Sequence, residues 1–158
     1  MGQALKEAEK ALKKKEVPVG AVVVYQNKII GRGYNQTETL KDATAHAEIL
    51  AIGAASNYLD SWRLNDASIY VTVEPCIMCA GAIILSRLDR LIFGTPDPKA
   101  GACGSLYNLP QDIRLNHQVK IVSGILEGQC KGILKAFFEK LRKSEGLIQE
   151  DERRHEKT

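Results

Sequence analysis

Apolar and polar positions along this chain follow two periods, and each change of period marks an element. Between residues 3 and 15, Leu5, Ala8 and Leu12 recur at helical spacing while lysines cover the outer face. This predicts an amphipathic helix lying on a sheet and ended by Pro18 and Gly20. VGAVVVY (19–25) is a continuous Val-rich apolar run, the pattern of a central strand covered on both faces. Gln26-Asn27 then predicts a tight turn into a second strand, KIIGRGYN (28–35). After the polar loop QTETLKD, Thr44 is the expected N-cap of a helix from Ala45 to about Tyr58, apolar nearly all round as a buried helix must be. SIYVTV (68–73) is a third strand. The next helix has Pro75 in its first turn, where a missing N–H costs nothing, and runs to about Ser86. RLIFG (90–94) and VKIV (119–122) supply the last strands, with the Gly/Pro-rich TPDPKAGACGS (95–105) as a long loop between them. Ile133, Leu134, Phe137, Phe138 and Leu141 mark a closing helix from Glu127 to about Lys143. Strands alternating with helices predict an α/β fold, a three-layer α/β/α sandwich around a sheet of about five strands.

Composition narrows this only modestly. A chain of 158 residues, 44% hydrophobic and 26% charged, is ordinary for one globular domain and excludes extensive disorder. The domain is expected to occupy 1–143, with 144–158 as a charged tail that frays. The first twenty residues lack the apolar core of a signal peptide, and no stretch approaches membrane-spanning length, so a soluble, cytoplasmic protein is expected. A net charge of +3 permits an RNA partner without demanding one. With no sign of an oxidising compartment, the close pair Cys76 and Cys79 points to metal ligation rather than disulfides.

The chemistry concentrates in two stretches, TAHAEILAI (44–52) and EPCIMCAGA (74–82). Burying His46 or Glu48 in an apolar helix costs several kcal/mol unless each finds a partner. Cys76 and Cys79, at i and i+3 in a first helical turn, project their sulfurs to one side. There the helix dipole lowers thiol pKa and favours the thiolate that binds zinc. His46 is the natural third ligand. Glu48, two residues on, lies about 200° round a regular helix from His46, so the two converge only if the metal sits in front of the helix start. The two helix starts then face one another across the ion. Three protein ligands leave the fourth tetrahedral position to water, as in catalytic rather than structural zinc sites. Cys103, in the long loop, is an alternative fourth ligand or a small incidental residue, and Cys130 is read as packing of the last helix.

His46-Ala47-Glu48 followed by Pro75-Cys76-Ile77-Met78-Cys79 resembles the signature of zinc-dependent nucleobase deaminases. Together with EVPVGAVVV, GYN, DATAHAEILAI, YVTVEPCIMCAGAI, SR, GSL and LNH, it makes residues 4–142 similar to the bacterial tRNA-specific adenosine deaminase family. The resemblance implies a mixed-sheet, cytidine deaminase-like fold and one Zn2+ per subunit on His46, Cys76 and Cys79. It also implies Glu48 as the catalytic proton shuttle. The implied reaction is hydrolytic deamination of adenosine to inosine at the wobble position of a tRNA anticodon. Asn35 would hydrogen-bond the purine. Asp97, Lys99, Asn116 and His117 would lie in RNA-contacting loops, with Phe137, Phe138 and Arg142 on the closing helix. A homodimer packed through residues 76–86 is implied as well.

Plainer roles stand beside these. Asn35 suits a turn, Phe137 and Phe138 suit a core, and Lys10, Lys13, Lys14 and Lys15 form a solvated helix face before an RNA patch. Pro96 and Glu139 depart from the family's basic positions. Two other functions remain open: deamination of a free base or nucleoside such as guanine or cytosine, and a non-catalytic, zinc-stabilised RNA-binding subunit.

Overall fold

A computed structural model describes residues 1–155, with side chains described to residue 146. Five strands form one mixed sheet in the order β2-β1-β3-β4-β5: β1 Gly20–Tyr25, β2 Lys28–Tyr34, β3 Ser68–Val73, β4 Arg90–Thr95 and β5 Lys120–Ser123. β1 and β2 form an antiparallel hairpin, bulged between Val23 and Val24. Its two-residue turn places Gln26 and Asn27 at φ 49° and 60°, left-handed values that match the twist of the strands. β1 also pairs antiparallel with β3, whereas β3–β4 and β4–β5 are parallel.

Alternating strand residues point to opposite faces, and each face has its own pair of helices. Helices α3 (Ala47–Leu59) and α4 (Ile77–Leu85) cover one face, where Ala47, Ala51, Ala55, Ala80 and Ile83 close a core with Val23, Val71, Leu91 and Phe93. Small residues dominate α3 because Gly31 and Gly33 of β2 bring it against the strand backbone. A methyl group on either glycine would collide with the carbonyl oxygen of Ala51 or Ala47. Helix α1 (Gly2–Lys13) buries Ala4, Ala8 and Ala11 on the other face, beside α5 (Glu127–His155), whose Cys130 packs into the space left by Gly94. The three-layer arrangement and the central, doubly covered β1 match the sequence reading.

Several boundaries differ. Helix α1 stops at Lys13, well before Pro18. Thr44 does not cap α3. Its N–H and hydroxyl donate to Asp42 Oδ1 at 2.8 and 2.7 Å, and the extended residue at the helix start is His46. Pro75 lies just outside α4, whose N-cap is Cys76. A short helix α2 (Thr37–Leu40) occupies the loop read as irregular. Helix α5 continues past Lys143 to His155, since the segment is rich in Lys, Arg, Glu, Gln and Leu and holds no proline. Helix α5 thus runs into the segment expected as a charged tail, and residues 156–158 lie outside the described residues.

Candidate active site

Parallel sheets place ligands at the carboxyl ends of their strands, where loops leave for the covering helices. The carboxyl end of β3 leads through Glu74 and Pro75 into Cys76, and that of β4 leads into the loop beginning at Pro96. The start of α3 reaches the same edge. His46 and Cys76 are the N-caps of α3 and α4, both in extended conformation, so the positive ends of two helix dipoles converge on one point.

His46 Nδ1 lies 3.6 Å from Cys76 Sγ and 3.5 Å from Cys79 Sγ, and all three ligand atoms fall within 4.8 Å of one another. This is the one cluster of metal-ligand type among the described residues, and a single small ion seated between the three atoms would reach them all. Cys103 is not part of it. Its thiol points to the Pro75 carbonyl at 3.8 Å, and burial raises its pKa. The neighbouring Cys79 thiol, together with His46, lowers the Cys76 pKa to about 3. The same contact, together with burial, drives Cys79 upward. The Cys76 thiolate in turn raises His46. Two cysteine sulfurs and an imidazole gathered at this spacing suit a divalent cation.

Glu48 stands in the first turn of α3 with only 4% of its surface exposed, and burial raises its pKa. It forms no salt bridge among the described residues. A cavity of about 290 Å³ opens over His46, Glu48 and Cys76, walled by Val17, Val19, Asn35, Thr37, Asp97 and Ala100. Of the residues expected to touch substrate, Asn35 and Asp97 line it. Asp97 also shapes its own loop, with Oδ1 accepting the N–H groups of Lys99 and Ala100 at 3.0 and 3.2 Å.

The others lie off the cavity. Lys99, Asn116 and Arg142 are exposed. His117 Nε2 donates to the Leu88 carbonyl at 2.6 Å, an anchoring bond. Phe137 and Phe138 stack edge-on at 5.2 Å, the first half-buried and the second 40% exposed.

Two buried carboxylates that shape the cavity walls escaped the sequence reading. Glu16, 1% exposed, accepts the N–H and hydroxyl of Thr39 at 2.6 and 2.8 Å and the N–H of Glu38 at 3.3 Å, which fixes α2 beside the cavity. Burial pushes its pKa up, but these bonds outweigh that and lower it. Glu74 holds the loop on the opposite wall through backbone N–H groups. Its place directly before Pro75 was the available signal.

The chain belongs to the MafB19-like deaminase family, whose model matches residues 1–142. Within that class the similarity is to tRNA-specific adenosine deaminases. The Bacillus subtilis (strain 168) protein of that name is 53% identical over 143 residues, 90% of this chain and 89% of the relative. That of Streptococcus pyogenes serotype M18 (strain MGAS8232) is 46% identical over 138 residues, 87% of each. A solved tRNA:A34 deaminase, studied for A-to-I editing at the wobble position of transfer RNA, superposes with TM-score 0.82 at 43% identity, covering 85% of this chain and 97% of that one. A guanine deaminase from Nitrosomonas europaea shares the fold, with TM-score 0.74 at 21% identity, over 86% of this chain and 81% of that one. No described helix is long and apolar enough to cross a membrane.

Proposed function

We propose that the chain is a zinc-dependent hydrolase that converts adenosine to inosine at the wobble position of a tRNA anticodon, in the cytoplasm. One observation carries this reading: His46, Cys76 and Cys79 converge on one point, and His46 and Cys76 line a cavity together with a buried Glu48 that has no cationic partner among the described residues. Zinc fits the donor set. Bond lengths of about 2.3 Å to sulfur and 2.0–2.1 Å to nitrogen at a tetrahedral angle separate N and S by about 3.6 Å, against 3.5 and 3.6 Å here. Zinc bound there supplies the Lewis acidity that makes water a nucleophile near neutral pH.

The chain's own residues manage the protons and the base. Glu48 accepts a proton from the attacking water, delivers it to the adjacent ring nitrogen, and later carries one to the departing amine. Adenine and water thus become hypoxanthine and ammonia. A carboxyl group whose pKa is raised by burial suits this exchange, since it holds an accepted proton more readily than a solvated glutamate does. The side chain of Asn35, facing the cavity from the end of β2, offers a donor and an acceptor to the purine edge. A cavity of about 290 Å³ holds one extruded base rather than a duplex.

Asp97 and the exposed Lys99, Asn116, Phe138 and Arg142 are assigned to contacts with the anticodon stem-loop around the base, with Phe137 and His117 supporting them. The exposed face of α4 is apolar, with Ile77 59% and Leu85 69% accessible, and we assign it to a homodimer interface. Deamination of a free purine is the second reading, favoured only by the fold shared with a guanine deaminase. The test is to measure zinc per chain and inosine formed in an anticodon stem-loop, before and after chelation. About one zinc per chain, with inosine lost on chelation and restored by zinc, is expected. A metal-free protein of full activity overturns the proposal.

A further inference from the structure

The loop after β4 forms one wall of the cavity, yet its tether is a carboxylate rather than a hydrophobic anchor. Glu74 is 3% exposed. Its Oε1 accepts the Asp97 N–H at 3.2 Å and the Ser105 hydroxyl, and its Oε2 accepts the N–H groups of Cys103 and Ser105, both at 3.1 Å. Four donors thus reach one carboxylate from both ends of the loop, and no salt bridge involves it among the described residues. Between those ends Gly101 passes so close that any side chain there would strike Glu74 Oε2. The loop is also laced to the segment bearing the metal ligands, through the Ala102 N–H on the Pro75 carbonyl at 2.9 Å and a β-bridge between Cys76 and Gly101. Asp97 and Ala100, the loop residues that face the cavity, hang from this knot.

We propose that Glu74 is the positioning residue that sets the wall formed by residues 97–105 at the distance a flipped base requires over His46 and Glu48. This rests on the base-deaminating role proposed above. A carboxylate is needed because three of the four partners are main-chain N–H groups, which can only donate, and they reach both of its oxygens. An amide of the same size would turn its NH2 group against the Asp97 N–H in one orientation or those of Cys103 and Ser105 in the other, and the loop would swing out at that end. The wall contacts the bound base and not the proton being moved, so its loss weakens ground-state and transition-state binding alike. Such a change raises KM and spares kcat.

The experiment compares Glu74→Gln with Glu7→Gln, a buried carboxylate on the far side of the sheet that pairs with Lys10 and Arg32. Both variants lose a buried charged contact, but only the first touches the wall. With zinc content confirmed for each, Glu74→Gln raises KM for an anticodon stem-loop roughly tenfold while kcat changes less than about threefold, and Glu7→Gln leaves both unchanged at matched loss of Tm. Ser105→Ala, which removes one donor and keeps the carboxylate, shifts KM the same way by less and covers the case in which Glu74→Gln fails to fold. Amide hydrogen exchange in the absence of RNA accelerates at residues 97–105 in Glu74→Gln and not elsewhere. An unchanged KM, a fall confined to kcat, an equal rise in Glu7→Gln, or unchanged exchange in the loop overturns the proposal. If wild type ignores the stem-loop, the tRNA reading fails instead, and hydrogen exchange still decides whether Glu74 holds the wall.

Discussion

Replacing Glu48 with Gln separates the proton shuttle from the metal site, because the amide matches the carboxylate in size but cannot carry a proton. Two effects of opposite sign follow. Activity falls, by the roughly 10²- to 10⁴-fold that a positioned acid–base group contributes. Stability of the metal-free protein moves the other way. Glu48 is 4% exposed and burial raises its pKa, so ionising it costs more in the folded chain than in the unfolded one. The resulting penalty is absent below the unfolded pKa and grows as pH rises towards the folded value. Glu48→Gln removes it, so the melting temperature of the stripped variant at pH 7 equals or exceeds that of stripped wild type. The gap closes as pH falls below about 4.3, the ordinary glutamate value. Single-turnover inosine formation, zinc content and thermal melting across pH 4 to 8 measure all three quantities. A variant that loses zinc and stability together would make Glu48 a structural ligand, and activity within tenfold of wild type would remove it from the chemistry.

Other substitutions divide the site in different ways. Cys76→Ala and His46→Ala each remove one of three ligands and lower metal content and Tm together, since binding free energy at such a site is folding free energy. Elemental analysis alongside calorimetry reads both. Lys99→Ala and Arg142→Ala keep zinc but weaken stem-loop binding, and each flattens the slope of log affinity against log salt by roughly 0.7 to 0.9. An unchanged slope would move the RNA surface elsewhere. Leu85→Asp puts a charge on the apolar face of α4 and converts a dimer at micromolar concentration to a monomer by sedimentation. A wild type that is already monomeric would refute the interface.

What the sequence revealed and what it hid divide along a physical line. The convergence of His46, Cys76 and Cys79 near a buried Glu48 was legible because groups of metal-ligand type recur at particular spacings, and because charge in an apolar helix demands a reason. Strand β1 was legible because a strand buried on both faces has no polar alternation to confuse it. Glu16 and Glu74 stayed hidden because their partners are mostly main-chain N–H groups, which leave no complementary residue to see. The α3 boundary was misread for a related reason. Thr44 is a good capping residue in isolation, but Asp42 claims its hydroxyl and N–H, and the chain stays extended until His46 has been delivered to the site. The bond from the His117 ring to the Leu88 carbonyl was equally hidden, because its partner is a main-chain oxygen.

The central claim is that this cavity takes one adenosine from a folded anticodon loop. Its most direct test is kcat/KM for inosine formation on three substrates: a stem-loop with adenosine at the wobble position, the same stem-loop with that adenosine moved one place along, and free adenosine. The first is expected to be converted efficiently while the shifted loop and the free nucleoside are not, with guanine and cytosine also left intact. Equal turnover of the free nucleoside, or release of ammonia from guanine in preference to the stem-loop, would contradict the account and make the chain a free-base or nucleoside deaminase.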